Sequence, residues 1–174
     1  MDLKQAWTLG GSRLPLLIID EAINGKVASP LRGRFTLQAL AYLAQSEARD
    51  ACERWLTPAA PFRFSAGPLG PSSEEFLKAV RFLSETGLIE MRSVAQPGTP
   101  GVNLVFLTTE IGLVILRSEE SARQESATQV RGAVSRYIGL SRQQLLSYLS
   151  QHHPSIVEGL VGYEAQVVSP APIK

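Results

Sequence analysis

The sequence predicts an α+β fold that is mostly α, and three observations predict it. A Pro/Gly turn at Leu69-Gly70-Pro71 leads into Ser72-Ser73-Glu74-Glu75, the start of a capped helix. That helix closes at Gly87-Leu88-Ile89-Glu90, where a strand begins. Two strand-like runs, Leu88 to Val94 and Val102 to Leu107, then flank a loop rich in Pro and Gly. Turn, helix and hairpin in this order make the second half of a winged helix. The expected architecture is a winged-helix domain with a small antiparallel hairpin and additional C-terminal helices. Its core is expected over residues 1–110, a helical extension packed on it over 111–161, and a mobile tail over 162–174.

Length and composition bound the rest. A chain of 174 residues suits one domain, or one domain with an appendage. With 44% hydrophobic and 19% charged residues it has enough apolar mass for a core. The formal net charge is +1, from 17 basic and 16 acidic residues, without the basic excess common in nucleic-acid binders. A local patch can still carry phosphate contacts. Thirteen arginines against four lysines favour forked contacts to carboxylate or phosphate. Cys52 is the only cysteine, which excludes an internal disulfide framework and a cysteine-rich zinc site. That usage points to the cytoplasm. Met1-Asp2-Leu3-Lys4 is not followed by a signal-peptide core, and the apolar run Leu14 to Ile19 is too short to span a bilayer.

The elements follow in order. Leu14 to Ile23 reads as a helix with Leu16, Leu17, Ile19, Ala22 and Ile23 on its apolar face, stopped by Asn24-Gly25. Lys26 to Gly33 reads as a loop. Arg34 to about Ser46 is a second helix, with Leu37, Leu40, Ala41 and Ala44 in helical period. Ala48 to Leu56 continues or kinks from it, and Pro58 and Pro61 end it. Phe62-Arg63-Phe64 alternates like a short strand, and Gly67 to Pro71 is too rich in Pro and Gly for regular structure. Ser72 is the expected cap of the next helix, with Glu75 completing a capping box and Gly87 closing the other end. Phe76, Val80 and Leu83 share its inner face. The loop 95–101 is the expected wing. Thr108 or Thr109 caps a helix whose expected buried side is Ile111, Val114 and Ile115. Ser118 to Gln129 is polar, an exposed helix or a break. Val130, Val134, Tyr137 and Ile138 resume a face, and Gly139 interrupts it. Ser141 and Gln144 form a second capping box ahead of Leu145, Leu146, Tyr148 and Leu149, and Pro154 ends the last helix.

Gly33-Arg34-Phe35-Thr36-Leu37-Gln38-Ala39-Leu40-Ala41-Tyr42-Leu43 resembles the Gly-Arg-x-x-Leu-Gln-Lys-Leu-x-Tyr/Phe-Leu signature of a family of poorly characterised bacterial and archaeal winged-helix proteins. Leu69 to Ser73 resembles the family's Tyr-Gly-Pro-Tyr-Ser turn. Gly87-Leu88-Ile89, Leu107-Thr108 and Leu145-Leu146-Ser147-Tyr148 resemble its later motifs, in the same order. Ala39 stands where the family has lysine, and Leu69 and Ser72 stand where the turn has aromatics. These proteins are similar to Panacea-type antitoxin domains. The resemblance implies a place near mobile-element and defence functions, as an accessory of a defence or toxin–antitoxin-like system.

The sequence suggests no catalytic constellation. His152-His153 lacks further metal ligands and suits a helix C-terminus. Cys52 has no positioned base beside it and reads as a semi-buried thiol. Asp20-Glu21 and Glu74-Glu75 are adjacent carboxylates, the latter favourable at a helix start. No phosphate loop is present, so no cofactor is expected and enzyme is the minority reading.

Two functions lead, with a small hydrolase of atypical motif as a weaker third. The first is an interaction subunit with a protein partner. The second is a DNA-binding transcriptional regulator, by analogy of fold. In such a regulator the helix before the hairpin enters the major groove, here Ser73 to Thr86. Its first turn carries Glu74 and Glu75, which oppose the counterion release that drives DNA affinity. Lys78 and Arg81 partly compensate, with Arg92 on the adjoining strand. Lys26, Arg32 and Arg34 form one run free of acidic residues, and Arg131, Arg136 and Arg142 another. The nucleic-acid candidates are therefore Lys26, Arg32, Arg34, Lys78, Arg81 and Arg92, and the partner candidates Arg131, Arg136 and Arg142. Gln143 to Ser150 packs on Val130 to Ile138, or pairs with a second copy in a homodimer.

Overall fold

Helix α1 spans Arg13–Asn24, and all ten residues from Arg13 to Ala22 are buried. A helix covered on every side belongs at the centre of a fold, not on its surface. The computed structural model that shows this describes residues 11–57, 61–68, 70–95 and 102–158. Strand β1, Leu31–Arg32, lies inside the segment expected to be loop, and pairs with Phe106 and Val105 of a later strand. Two residues are too short to show a period of two in sequence. Helix α2, Arg34–Glu47, starts after Gly33, whose φ of +83° suits glycine. The chain kinks at Ala48 and continues as α3, Arg49–Leu56. Arg13 and Arg123 both donate to the carbonyls of Trp55 and Thr57, placing positive charge at the C-terminal end of α3.

The next segment departs from expectation. Phe62 to Phe64 is irregular, and the strands are β2, Ser65–Gly67, and β3, Gly70–Ser72. They pair antiparallel, so part of the Gly/Pro-rich stretch is regular after all. The physical reason lies in Gln45, whose side-chain amide bonds both the N–H and the C=O of Phe62 in place of a neighbouring strand. The Phe62 ring packs edge-on against Phe76, and Phe64 lies against Tyr42 and Phe76. Pro71 is tolerated because a two-stranded ribbon leaves outer edges that need no donor.

Helix α4 spans Glu74–Glu85, and its cap is Ser73, one residue beyond the expected Ser72. The Ser73 hydroxyl accepts from the N–H of Phe76 at 3.3 Å, while Ser72 belongs to β3. That shift leaves Glu75 out of register for a capping box, and its carboxylate meets the N–H of Arg63 instead. At the other end Leu88 N–H bonds Leu83 C=O at 2.8 Å and Gly87 N–H bonds Ser84 C=O at 3.1 Å. This is a Schellman closure, with Gly87 at φ +72°. Strands β4, Ile89–Ala95, and β5, Val102–Thr108, pair along their full length, and the three-stranded sheet runs β1-β5-β4. The wing residues 96–101 lie outside the described residues.

Thr109 caps helix α5, Glu110–Ala122, by accepting from Gly112 N–H. The expected inner face is wrong: Ile111 is 58% and Val114 71% exposed, and Ile115 is only partly buried. Gly112 and Leu116 face inward instead. A Cβ at Gly112 would stand 2.2 Å from the carbonyl oxygen of Leu88, just before β4, so α5 meets the turn into β4 through bare backbone. A glycine contact of this kind is invisible to a search for apolar periodicity.

The chain breaks at Arg123 and resumes as α6, Gln124–Tyr137, burying Val130, Val134 and Tyr137, with Ile138 buried just beyond. Helix α7, Arg142–His152, carries both bonds of the Ser141/Gln144 capping box. Leu145 and Leu149 are buried, and Leu146 and Tyr148 are partly so. A 3-10 turn, Pro154–Ile156, follows. Helix α6 packs on α1, α2 and α3, and α7 on α2, in one shared core. The expected tail, 162–174, falls outside the described residues. Among the described residues the fold is α+β, mostly helical, with small antiparallel sheets. No described helix is long and apolar enough to cross a membrane.

Candidate interaction surfaces

The two clusters of arginines expected from sequence separate in space by what they touch. Arg131, expected to contact a partner, points into the molecule. Its guanidinium bonds Asp20 at 2.9 Å and also reaches Glu21 and Glu120. Asp20 is fully buried and also accepts from Asn24 at 2.7 Å, while Ser135 donates to Glu21 at 2.6 Å. Arg117 approaches Asp20 from the surface at 3.4 Å. Burial works against charge on Arg131, yet its hydrogen bonds to Glu120, Glu21 and Asp20 prevail and raise its pKa. This is an internal ion cluster joining α1, α5 and α6. Arg136 pairs with Glu47 at 2.7 Å near the surface.

The α4 face carries little free positive charge. Lys78 pairs with Glu74 at 2.8 Å, and hydrogen bonding to Lys78 holds the Glu74 carboxyl below its ordinary range. On β4, Arg92 bonds Glu90 through two nitrogens, at 2.7 and 2.9 Å, and that bond likewise lowers the Glu90 pKa. Glu75 is exposed next to Glu74 in the same turn, and Arg81 is exposed with no ion pair among the described residues. Every β4 residue from Glu90 to Ala95 is exposed, including Met91 and Val94. Lys26 is exposed on the loop after α1.

Arg32, Arg34 and Arg142 come together. They line an open cleft of about 1050 Å³ between β1, the first turn of α2, β5 and the turn into α7. No aspartate or glutamate lines it. Arg142 lies over the Phe35 ring, 5.3 Å from its centroid, a cation–π contact. Val27, Leu104 and Leu140 supply apolar wall, and Ser29, Thr36 and Ser141 supply hydroxyls.

The remaining candidates are structural in placement. His152 ends α7 and His153 caps it, as expected, with His153 Nδ1 3.1 Å from the Tyr42 hydroxyl. No group of three His, Cys, Asp or Glu among the described residues is arranged to hold a metal. Cys52 is buried, its thiol directed at the Ala44 carbonyl, and burial pushes its pKa up to about 12. Two residues of the quoted motifs prove to hold the fold together. Gln38 accepts from Ser73 N–H, and Gly70 lies so close to Phe35 that a Cβ would stand 2.7 Å from the ring. Gln38, set between the apolar residues Leu37 and Ala39 of α2, was the available signal for the first. No protein-family model matches this chain, and no curated protein sequence matches it.

Proposed function

We propose that this chain is a non-catalytic winged-helix protein that works by docking a protein partner, as an accessory or regulatory component of a defence or toxin–antitoxin-like system. The winged-helix reading is supported by element order. Helix α1, strand β1, helices α2 and α4, then the β4–β5 hairpin follow one another, with β5 central in the sheet. Helix α3 and the β2–β3 ribbon are insertions between the second and third helices of that plan. The assignment to a defence or antitoxin-like system rests on the motif resemblance alone.

The observation that carries the docking reading is charge cancellation on α4 and β4. Lys78 and Arg92 are each spent on a carboxylate of their own element, and Glu74 and Glu75 occupy the first turn. A duplex brought to this face finds neighbouring carboxylates where it needs counterion release. The second reading, a DNA-binding regulator, is favoured by Arg81, Arg32 and Arg34, which are exposed and enter no ion pair among the described residues.

The test is fluorescence anisotropy with a random-sequence duplex at low and moderate salt. The docking reading expects no duplex binding even at low salt. Tight binding that falls steeply with salt, and that is lost in K78Q/R81Q, overturns it in favour of the regulator.

A further inference from the structure

We propose that the arginine-lined cleft receives an acidic, partly apolar segment of a protein partner. The inference rests on the docking reading above and gives the chemistry of what docks. Arg32, Arg34 and Arg142 surround one hollow, and no carboxylate lines it. None of the three enters an ion pair among the described residues, whereas Arg49, Arg92, Arg117, Arg131 and Arg136 each meet one. Like charges gathered around a concave surface raise the local positive potential, and an anionic ligand relieves it. Guanidinium forks match carboxylates in two parallel hydrogen bonds.

The wall between the arginines selects among anions. Val27 is 40% exposed there, with Leu104 and Leu140 partly buried beside it. A segment that alternates carboxylates with apolar side chains satisfies both kinds of surface at once. Nucleic acid satisfies them less well. Single strands want open aromatic faces for their bases. The one aromatic residue lining the cleft, Phe35, is buried and lies under Arg142. A duplex is read by an element that enters its groove, and this surface is a hollow. The overall charge of +1 adds little long-range pull on a polyanion.

The experiment titrates the full chain into a short fluorescein-labelled peptide in which two glutamates alternate with one leucine. The comparison probes are the same peptide with glutamine for glutamate and a short thymidylate oligonucleotide. The expected result is saturable binding of the acidic peptide, about tenfold weaker for the glutamine peptide and for the R32Q/R34Q/R142Q variant. Circular dichroism confirms that the variant folds. Independently of any variant, the side-chain N–H signals of these three arginines shift when the acidic peptide is added. The proposal is overturned by a dissociation constant above about 1 mM for the acidic peptide. It is equally overturned by unchanged affinity in the variant, by static arginine signals, or by tighter thymidylate binding that the same variant loses. Its failure is separable from that of the docking reading. Duplex binding lost in K78Q/R81Q removes the docking reading, whereas silence toward both duplex and peptide removes only the cleft assignment.

Discussion

The side-chain carbonyl of Gln38, on α2, accepts a 2.9 Å hydrogen bond from the backbone N–H of Ser73, the cap of α4. Both residues are buried, so the bond is sheltered from water. It ties the first quoted motif to the second across 35 residues of chain. Removing the acceptor strands a buried donor, and that desolvation governs the cost.

Substituting Gln38→Leu is therefore expected to destabilise the fold by about 1–3 kcal/mol in urea denaturation. Ser73→Ala should cost about 1 kcal/mol through the lost cap, and Ser72→Ala much less. Because Gln38 and Ser73 touch, the double variant should depart from additivity. Equal effects for Ser72→Ala and Ser73→Ala would contradict the observed cap.

Arg131 sets a larger expectation. Its removal leaves Asp20 fully buried near Glu21 and Glu120, with Asn24 and Ser135 as neutral donors and the surface Arg117 as the cation still in reach among the described residues. Breaking a buried ion cluster by deleting one partner costs about 3–5 kcal/mol. Arg131→Met should approach that loss. Arg136→Gln, which breaks an exposed pair with Glu47, should cost less than about 1 kcal/mol. Thermal unfolding of the two variants side by side checks the ordering, and a mild Arg131→Met would show that the cluster relaxes easily.

Cys52 gives the pH expectation. Its folded pKa, about 12, lies above the ordinary 9.0, because burial disfavours the thiolate and Glu53 adds to the effect. A raised folded pKa means that the stabilisation is fully present below pH 9 and is lost as pH rises from 9.0 toward 12. Cys52→Ala should flatten that part of the stability profile relative to wild type. At pH 8 the native thiol should resist iodoacetamide and react once the chain is unfolded, as mass spectrometry would register. Prompt alkylation of the native protein would contradict the buried placement.

The parts of this fold legible in sequence were those set by local chemistry. The Ser141/Gln144 box, the Gly87 closure and the β4–β5 pairing all formed where turn and cap residues placed them. What stayed illegible was set by contacts distant in sequence. Leu31–Arg32 becomes a strand only because β5 offers an edge, and Phe62 is irregular because Gln45 takes both of its backbone groups. Ile111 and Val114 face outward because Gly112 docks backbone to backbone. The candidate surfaces divide in the same way. Arg32 and Arg34 could be grouped by proximity in the chain, but Arg142 joins them only through packing, and Arg131 leaves its run for an interior partner.

The position of α1 also bears on how this protein is made. Asp20 and Glu21 leave the ribosome long before Arg131, which is 110 residues behind Glu21. Until α6 emerges, α1 lacks one of the elements packed on it, and its two buried carboxylates lack Arg131, their main counter-charge. A polypeptide stopped near residue 110 would keep those two carboxylates without Arg131 and present itself to proteases and chaperones as an unfinished product. Synthesis of α6 thus completes the charge balance at the centre of the fold.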